Sequence, residues 1–200
     1  MKKIFLIFLA LITIINACSV YHTLTNVQRL KFKLGSVSDF KIAGVNISNI
    51  SQLKDINALD ILKITNAFAS GKFPTNFTLN LLAKNPNDGT GGTTQTTAII
   101  KNLDWRLLID NNETISGAIQ DIQVPGVGQE TVIPIQISLD LLQFLNKSYD
   151  DLINLALAIG GKNGNSSRLT LKIKPTIETF LGPITYPGEI SVIDKEFRSE

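Results

Sequence analysis

Phe77-Thr78-Leu79-Asn80-Leu81-Leu82-Ala83-Lys84-Asn85-Pro86-Asn87 decides how the rest of the chain reads. Phe77, Leu79, Leu81 and Ala83 alternate with Thr78, Asn80, Leu82 and Lys84, a period of two that places four apolar side chains on one face of a sheet. Pro86 has no N–H for a strand ladder and pushes Asn85 into an extended conformation, and Asn87, Asp88 and Gly89 supply turn chemistry. The expectation is a buried strand that runs into an exposed loop, with further strands pairing on either side.

Downstream, Ile99, Leu103, Trp105, Leu107 and Ile109 share one parity, a long strand with Trp105 inward. Asp110-Asn111-Asn112 is a hairpin turn into a strand over residues 114–124, and Pro125-Gly126 with Gly128 punctuates it. Ile133, Ile135, Ile137 and Leu139 form the inward face of the next strand, where Pro134 argues for an edge position or a bulge. Asp140, with Gln143 at the third helical position, is an N-cap for a helical insertion over 141–159. Ser148 leaves open whether this is one helix or two, and Gly160-Gly161 ends it. Residues 168–177 and 184–192 read as two closing strands.

Upstream, Phe32 and Leu34, then Phe40, Ile42, Val45 and Ile47, predict two strands with a hairpin turn near Ser36 to Asp39 and Gly44 as a bulge or close-approach point. Between Asn57 and Ser70 the period turns helical. Leu59 and Leu62 recur with Ile61, Ile64 and Phe68, Asn57 and Asp60 offer an N-cap, and Gly71 and Pro74 offer a stop. About eight short strands with two helical insertions predict a mainly β fold, an antiparallel sandwich.

The first residues bear on compartment. Lys2 and Lys3 precede an apolar run from Ile4 to Ile15, and Asn16-Ala17 lead to the only cysteine, Cys18. This is the pattern of a signal peptide, and the run is short of the roughly 20 residues a spanning helix needs. Ala17-Cys18 resembles a bacterial lipobox, departing from its commonest form at Ile15 and Asn16. The resemblance implies lipidation of Cys18 and a membrane anchor, so that residues 1–17 are a signal peptide and 18–28 a tether. Ser19, in place of a retaining aspartate, favours an outer membrane facing the periplasm. Removing Lys2 and Lys3 from 19 basic residues leaves 17, against 17 acidic ones, and no basic cluster is interleaved with aromatics, so nucleic acid is not an expected partner.

The ordered set of Asn85-Pro86-Asn87, the strand from Leu103 to Asp110 with its turn toward Gly117, Val124-Pro125 to Ile137, and Leu171 to Val192 ending Gly188-Glu189-Ile190 resembles the group 2 late embryogenesis abundant (LEA-2) or WHy (water stress and hypersensitive response) domain. The likeness covers about residues 73–193, with 29–72 as an N-terminal hairpin and helix packed on the domain and 194–200 as a tail. It implies an immunoglobulin- or fibronectin III-like sandwich, non-enzymatic and associated with desiccation and other stress, in which Asn85, Pro86 and Asn87 are a structural turn.

Catalytic chemistry has little to draw on. His22, the only histidine, lies in the tether, and Asp104, Asp110, Asp150 and Asp151 read as solvated charges rather than acid/base pairs. No lysine follows Gly89 to Gly92 at phosphate-loop spacing, and no cofactor is expected. Leu142, Ile153 and Leu157 lie off the main stripe of the second helical insertion. They either pack on the sandwich or line an apolar groove for a lipid or a protein partner. The expected role is a structural or stress-protective envelope lipoprotein, with a carrier of lipid or another apolar ligand as the alternative.

Overall fold

The computed structural model describes residues 30–89, 95–126, 128–179, 182–194 and 197–198. Cys18, His22 and the tether lie outside them. The alternation that opens the sequence is realised in strand β3, Pro74–Lys84. Phe77, Leu79, Leu81 and Ala83 are buried, as is Thr75. β3 pairs antiparallel with β1 (Lys31–Ile42) on one side and β6 (Glu130–Asp140) on the other. With the two-residue β2 (Val45–Asn46) these form the first sheet, in the order β2-β1-β3-β6. The second sheet has the order β5-β4-β7-β8, from β4 (Ala98–Ile109), β5 (Asn112–Val124), β7 (Leu169–Ile177) and β8 (Ile184–Thr185), with β9 (Ile190–Val192) also on β7. The inner faces meet through Phe32, Leu34, Leu79, Leu81, Ile135 and Ile137 from one sheet and Leu103, Trp105, Leu107, Leu171 and Ile173 from the other. This is an antiparallel β-sandwich.

The two helical insertions gather at one end. Helix α1 (Ala58–Ala69) is capped by Asn57, whose side chain accepts from the Asp60 N–H, and helix α2 (Leu141–Phe144) by Asp140. Helix α3 (Tyr149–Gly160) restarts at Ser148, which accepts from the Asp151 N–H, so the second insertion holds two helices. Asp140 does a second job: its Oδ1 accepts from both Leu142 N–H (3.1 Å) and Phe73 N–H (2.8 Å), fixing the entry to β3 against the exit from β6. Gly160 lets α3 close on Phe40, where an added Cβ would fall 2.1 Å from the ring, and Phe40 stacks on Phe77 at 4.9 Å.

Four local readings are corrected. The predicted turn at Ser36 to Asp39 is absent, because β1 runs through it along β3 with register shifts after Leu34 and Ser38 and Asp39 at positive φ. The hairpin turn is Ala43-Gly44, both at positive φ, which suits a tight two-residue connection. In β4 a register shift after Ile100 turns Ile100 into the core and leaves Ile99 at the surface. In α1 the buried residue is Ile64, with Ile61 and Phe68 packed beside it, whereas Leu59 and Leu62 are 72% and 57% exposed. The loop at Asn85 to Asn87 is not exposed at either asparagine. Pro134 sits opposite Asn80 on the edge strand β6, without a register shift.

Candidate functional site

The end of the sandwich opposite the helices is built around Asn85, which is fully buried. β3 delivers it just past Lys84, and Pro86 turns the chain so that its amide lies between the sheets. Its Nδ2 donates to Thr96 O (2.8 Å) and Val124 O (3.0 Å), while its Oδ1 accepts from the N–H and Nδ2 of Asn87 at 3.1 and 3.0 Å. Thr96 precedes β4 and Val124 ends β5, so one side chain of the first sheet is bonded to two segments of the second. Thr96 N–H returns a bond to Asn87 O at 3.2 Å. Gly126 completes the clasp, because a Cβ there would lie 2.2 Å from Thr96 O and 2.3 Å from Asn87 O. All four hydrogen-bonding positions of Asn85 are directed at other parts of the chain, which makes Asn85-Pro86-Asn87 an internal joint rather than an outward-facing recognition loop.

The outer face of the second sheet carries a shallow depression of about 470 Å³ lined by Asp104, Arg106, Ser116, Ala118, Lys172 and Glu189 among others. Arg106 is held in a carboxylate pair: Nη1 donates to Glu113 at 2.9 Å and Nη2 to Glu189 at 2.6 Å. Glu189 raises the Arg106 pKa, with Glu113 adding to it, and Arg106 in turn holds the Glu189 carboxyl below its ordinary range. The pairing also offsets the like charge of Lys172, which stands directly opposite Arg106 in the β4–β7 register. Arg106 in β4 is thus bonded to Glu113 in β5 and to Glu189, just before β9, across the sheet's outer face.

At the helical end, Asp110 is in the hairpin turn with Asn111, both at positive φ. Arg168 grips it through Nε and Nη2, and Lys147 Nζ lies 3.5 Å away. The Arg168 bond, ahead of its charge and that of Lys147, holds the Asp110 carboxyl below the usual range. Asp110, read as a solvated charge, thus ties the β4–β5 turn to the segments flanking α3. Asp104 accepts from Asn102 Nδ2 at 2.9 Å, and Asp151 accepts from Ser148 Oγ at 2.7 Å within the cap of α3. Among the described residues no three His, Cys, Asp or Glu side chains gather in a way that would hold a metal, and no helix is long and apolar enough to cross a membrane.

Of the residues named for an apolar groove, Ile153 is buried in the core at 1% exposure, and Leu142 and Leu157 are half-buried against it. Leu157 also borders an open depression of about 460 Å³ with Ser51, Gln52, Leu53, Asn154, Ala158 and Asn163. The Arg106–Glu189 contact and the cross-sheet role of Asn85 escaped sequence reading, since each joins residues far apart in the chain. Arg106 and Glu113 did carry a signal, flanking the predicted hairpin turn at cross-strand distance.

No family model and no curated protein matches this sequence. Among solved structures, the chain is similar to the solution structure of a protein provisionally assigned as late embryogenesis abundant (LEA), at 16% identity, TM-score 0.35, covering 92% of this chain and 86% of that one. It is also similar to the crystal structure of a protein from Archaeoglobus fulgidus, at 12% identity, TM-score 0.31, covering 82% and 99%. Scores this low carry no argument, and the sandwich rests on the strand pairing described above.

Proposed function

We propose that this chain is a non-catalytic lipoprotein module, held to a membrane of the bacterial cell envelope through Cys18 and acting through its surface in a structural or stress-protective role. The observation that carries the reading is the placement of the only cysteine directly after Lys2-Lys3, the apolar run and Ala17. The stress-protective element draws on the resemblance of Asn85-Pro86-Asn87 and the strands after it to the LEA-2 domain. A surface role is supported by how the interior is used: the inner faces of both sheets are filled with one another's side chains, and Arg106, Glu113 and Glu189 are paired off. The carrier alternative draws less support, because Ile153 belongs to the core.

Fractionation of cells producing the wild type and Cys18→Ala, with intact mass measured on each, tests the anchor. The wild type is expected in the membrane fraction with added acyl mass, and the variant in the soluble fraction without it. A Cys18→Ala protein that stays membrane-bound at unchanged mass would refute the reading. Native mass spectrometry on the same variant separates the alternatives, since a stoichiometric apolar adduct would favour the carrier and a bare mass the surface module.

A further inference from the structure

The edges of the two sheets are treated unequally. β6 carries Pro134 at its midpoint, which removes a donor from the edge of the first sheet. The opposite edge, on β1, is covered by the C-terminal segment: Phe32 N–H donates to Arg198 O, Arg198 N–H to Phe32 O, and Leu34 N–H to Ile193 O. In the second sheet β8 and β9 are two and three residues long. β5 differs. It runs for thirteen residues with no proline and no lysine, and pairs with β4 alone among the described residues. β5 shifts register on β4 between Glu113 and Ser116, but from Ser116 to Gln120 it is regular and uncharged, and an edge of that kind is a template for another strand.

The sequence along that edge is self-complementary. Outward from Gly117, Thr114-Ile115-Ser116-Gly117-Ala118-Ile119-Gln120 reads small against small, apolar against apolar and polar against polar. We propose that β5 pairs antiparallel with β5 of a second copy about a two-fold axis through Gly117, joining the two second sheets into one. Ile115 then lies opposite the partner subunit's Ile119, and Ser116 opposite the partner subunit's Ala118. Ser116, Gly117 and Ala118 are exposed, and Ile115 and Ile119 are half-buried, so the pairing covers apolar surface that one copy leaves partly open. A residue-centred axis is compatible with either ladder phase, because opposed residues in antiparallel sheets occur both as hydrogen-bonded and as non-hydrogen-bonded pairs.

Local features bound the contact. Asp121 has positive φ within β5, which distorts the edge beyond Gln120 although the strand stays paired with β4 to Val124. In this register Glu113 faces the partner subunit's Asp121, but each carboxylate already has its cation, Glu113 with Arg106 and Asp121 with Lys101, both at 2.9 Å. Trp105, the only tryptophan, packs against Gly117 closely enough that a Cβ there would lie 2.5 Å from the indole. The axis therefore passes over a site where only glycine fits. Since the axis reverses strand direction, the two chains enter their sandwiches at opposite ends. Eleven residues lie between Cys18 and Leu30, a reach of at most about 40 Å, which lets both anchors meet one membrane with the strands lying along it.

The register is tested on the full-length chain in mild detergent with Ser116→Cys and Ala118→Cys, each alone and mixed, under oxidation with the wild type as the background for Cys18. Both sites are exposed, so the fold is not at stake. A disulfide-linked dimer several-fold more abundant in the mixture than in either variant alone is expected, because only Ser116 and the partner subunit's Ala118 are opposed. Equal cross-linking in all samples, or none, overturns the proposal. Light scattering on Ala118→Lys gives a second reading: loss of the dimer at an unchanged circular dichroism spectrum supports the β5 contact, and a dimer that persists rejects it.

Discussion

Asn85 shows how a single residue can carry a joint between layers. Its amide supplies the donors for Thr96 O and Val124 O, so Asn85→Ala removes both and leaves the carbonyls to an apolar methyl. A loss of about 2–4 kcal/mol is expected from urea unfolding. A value under about 0.5 kcal/mol, as for an ordinary surface change, would mean that the clasp does not bear on stability. Asp110 works by charge. Its carboxyl pKa is lowered in the fold, chiefly by the Arg168 bond, so the stability it adds is present above the unfolded value of about 3.9 and is lost as pH falls through the lower folded value. Asp110→Asn keeps a residue that tolerates left-handed backbone. The variant is expected to be less stable than the wild type at pH 7 by about 1 kcal/mol or less, since Arg168 is partly exposed, with the gap closing toward pH 2. A gap that is constant across that range in thermal melts would show that charge is not the cause. Neither role is legible in the sequence: the acceptors of Asn85 lie 11 and 39 residues away, and Asp110 gains Arg168 from a separation of 58.

At the scale of elements, caps were the most legible feature. Asn57, Asp140 and Ser148 each accept from an N–H two or three residues on, and such bonds depend only on neighbours in sequence. The face that a helix buries depends on what it packs against. In α1 the helical period was right and the stripe wrong, because Leu59 and Leu62 are as apolar as Ile64 and nothing local distinguishes them. Ile64→Ala is therefore expected to lower stability by about 2–5 kcal/mol, whereas Leu59→Ser with Leu62→Ser should change it by less than about 1 kcal/mol in total, the two sites being exposed. Equilibrium denaturation of the two variants checks this, and a larger loss from the double serine variant than from Ile64→Ala would reverse the assignment. The strand errors share a cause. Parity counting assumes unbroken pleating, and the shifts after Ser38 in β1 and after Ile100 in β4 reset it without any proline or glycine to announce them, whereas the shift after Leu34 falls at Gly35.

The whole molecule is closed by its last residues. After β9 the chain leaves the second sheet and joins the first, where Arg198 exchanges two backbone bonds with Phe32 at 2.7 and 2.8 Å and Lys33 Nζ lies 5.6 Å from the Phe197 ring. Deleting residues 194–200 is expected to lower stability by about 1–3 kcal/mol through those bonds. It should also raise aggregation, because the edge of β1 is uncovered. A truncated chain with an unchanged melting temperature and no added aggregation would show the segment to be dispensable.

What the sequence determined by itself was set by short-range physics: alternation along β3, β4 and β6, the caps, the hairpin turn within Asp110-Asn111-Asn112, the choice between edge and bulge at Pro134, and from these the antiparallel sandwich with helical insertions. Tertiary structure alone decided which face of α1 is buried, where β1 and β4 shift register, and that the C-terminal segment covers β1. It also decided that Asn85, Arg106 and Asp110 hold distant segments together. Those outcomes follow from burial and hydrogen-bond satisfaction between residues far apart in the chain, and no local period encodes them.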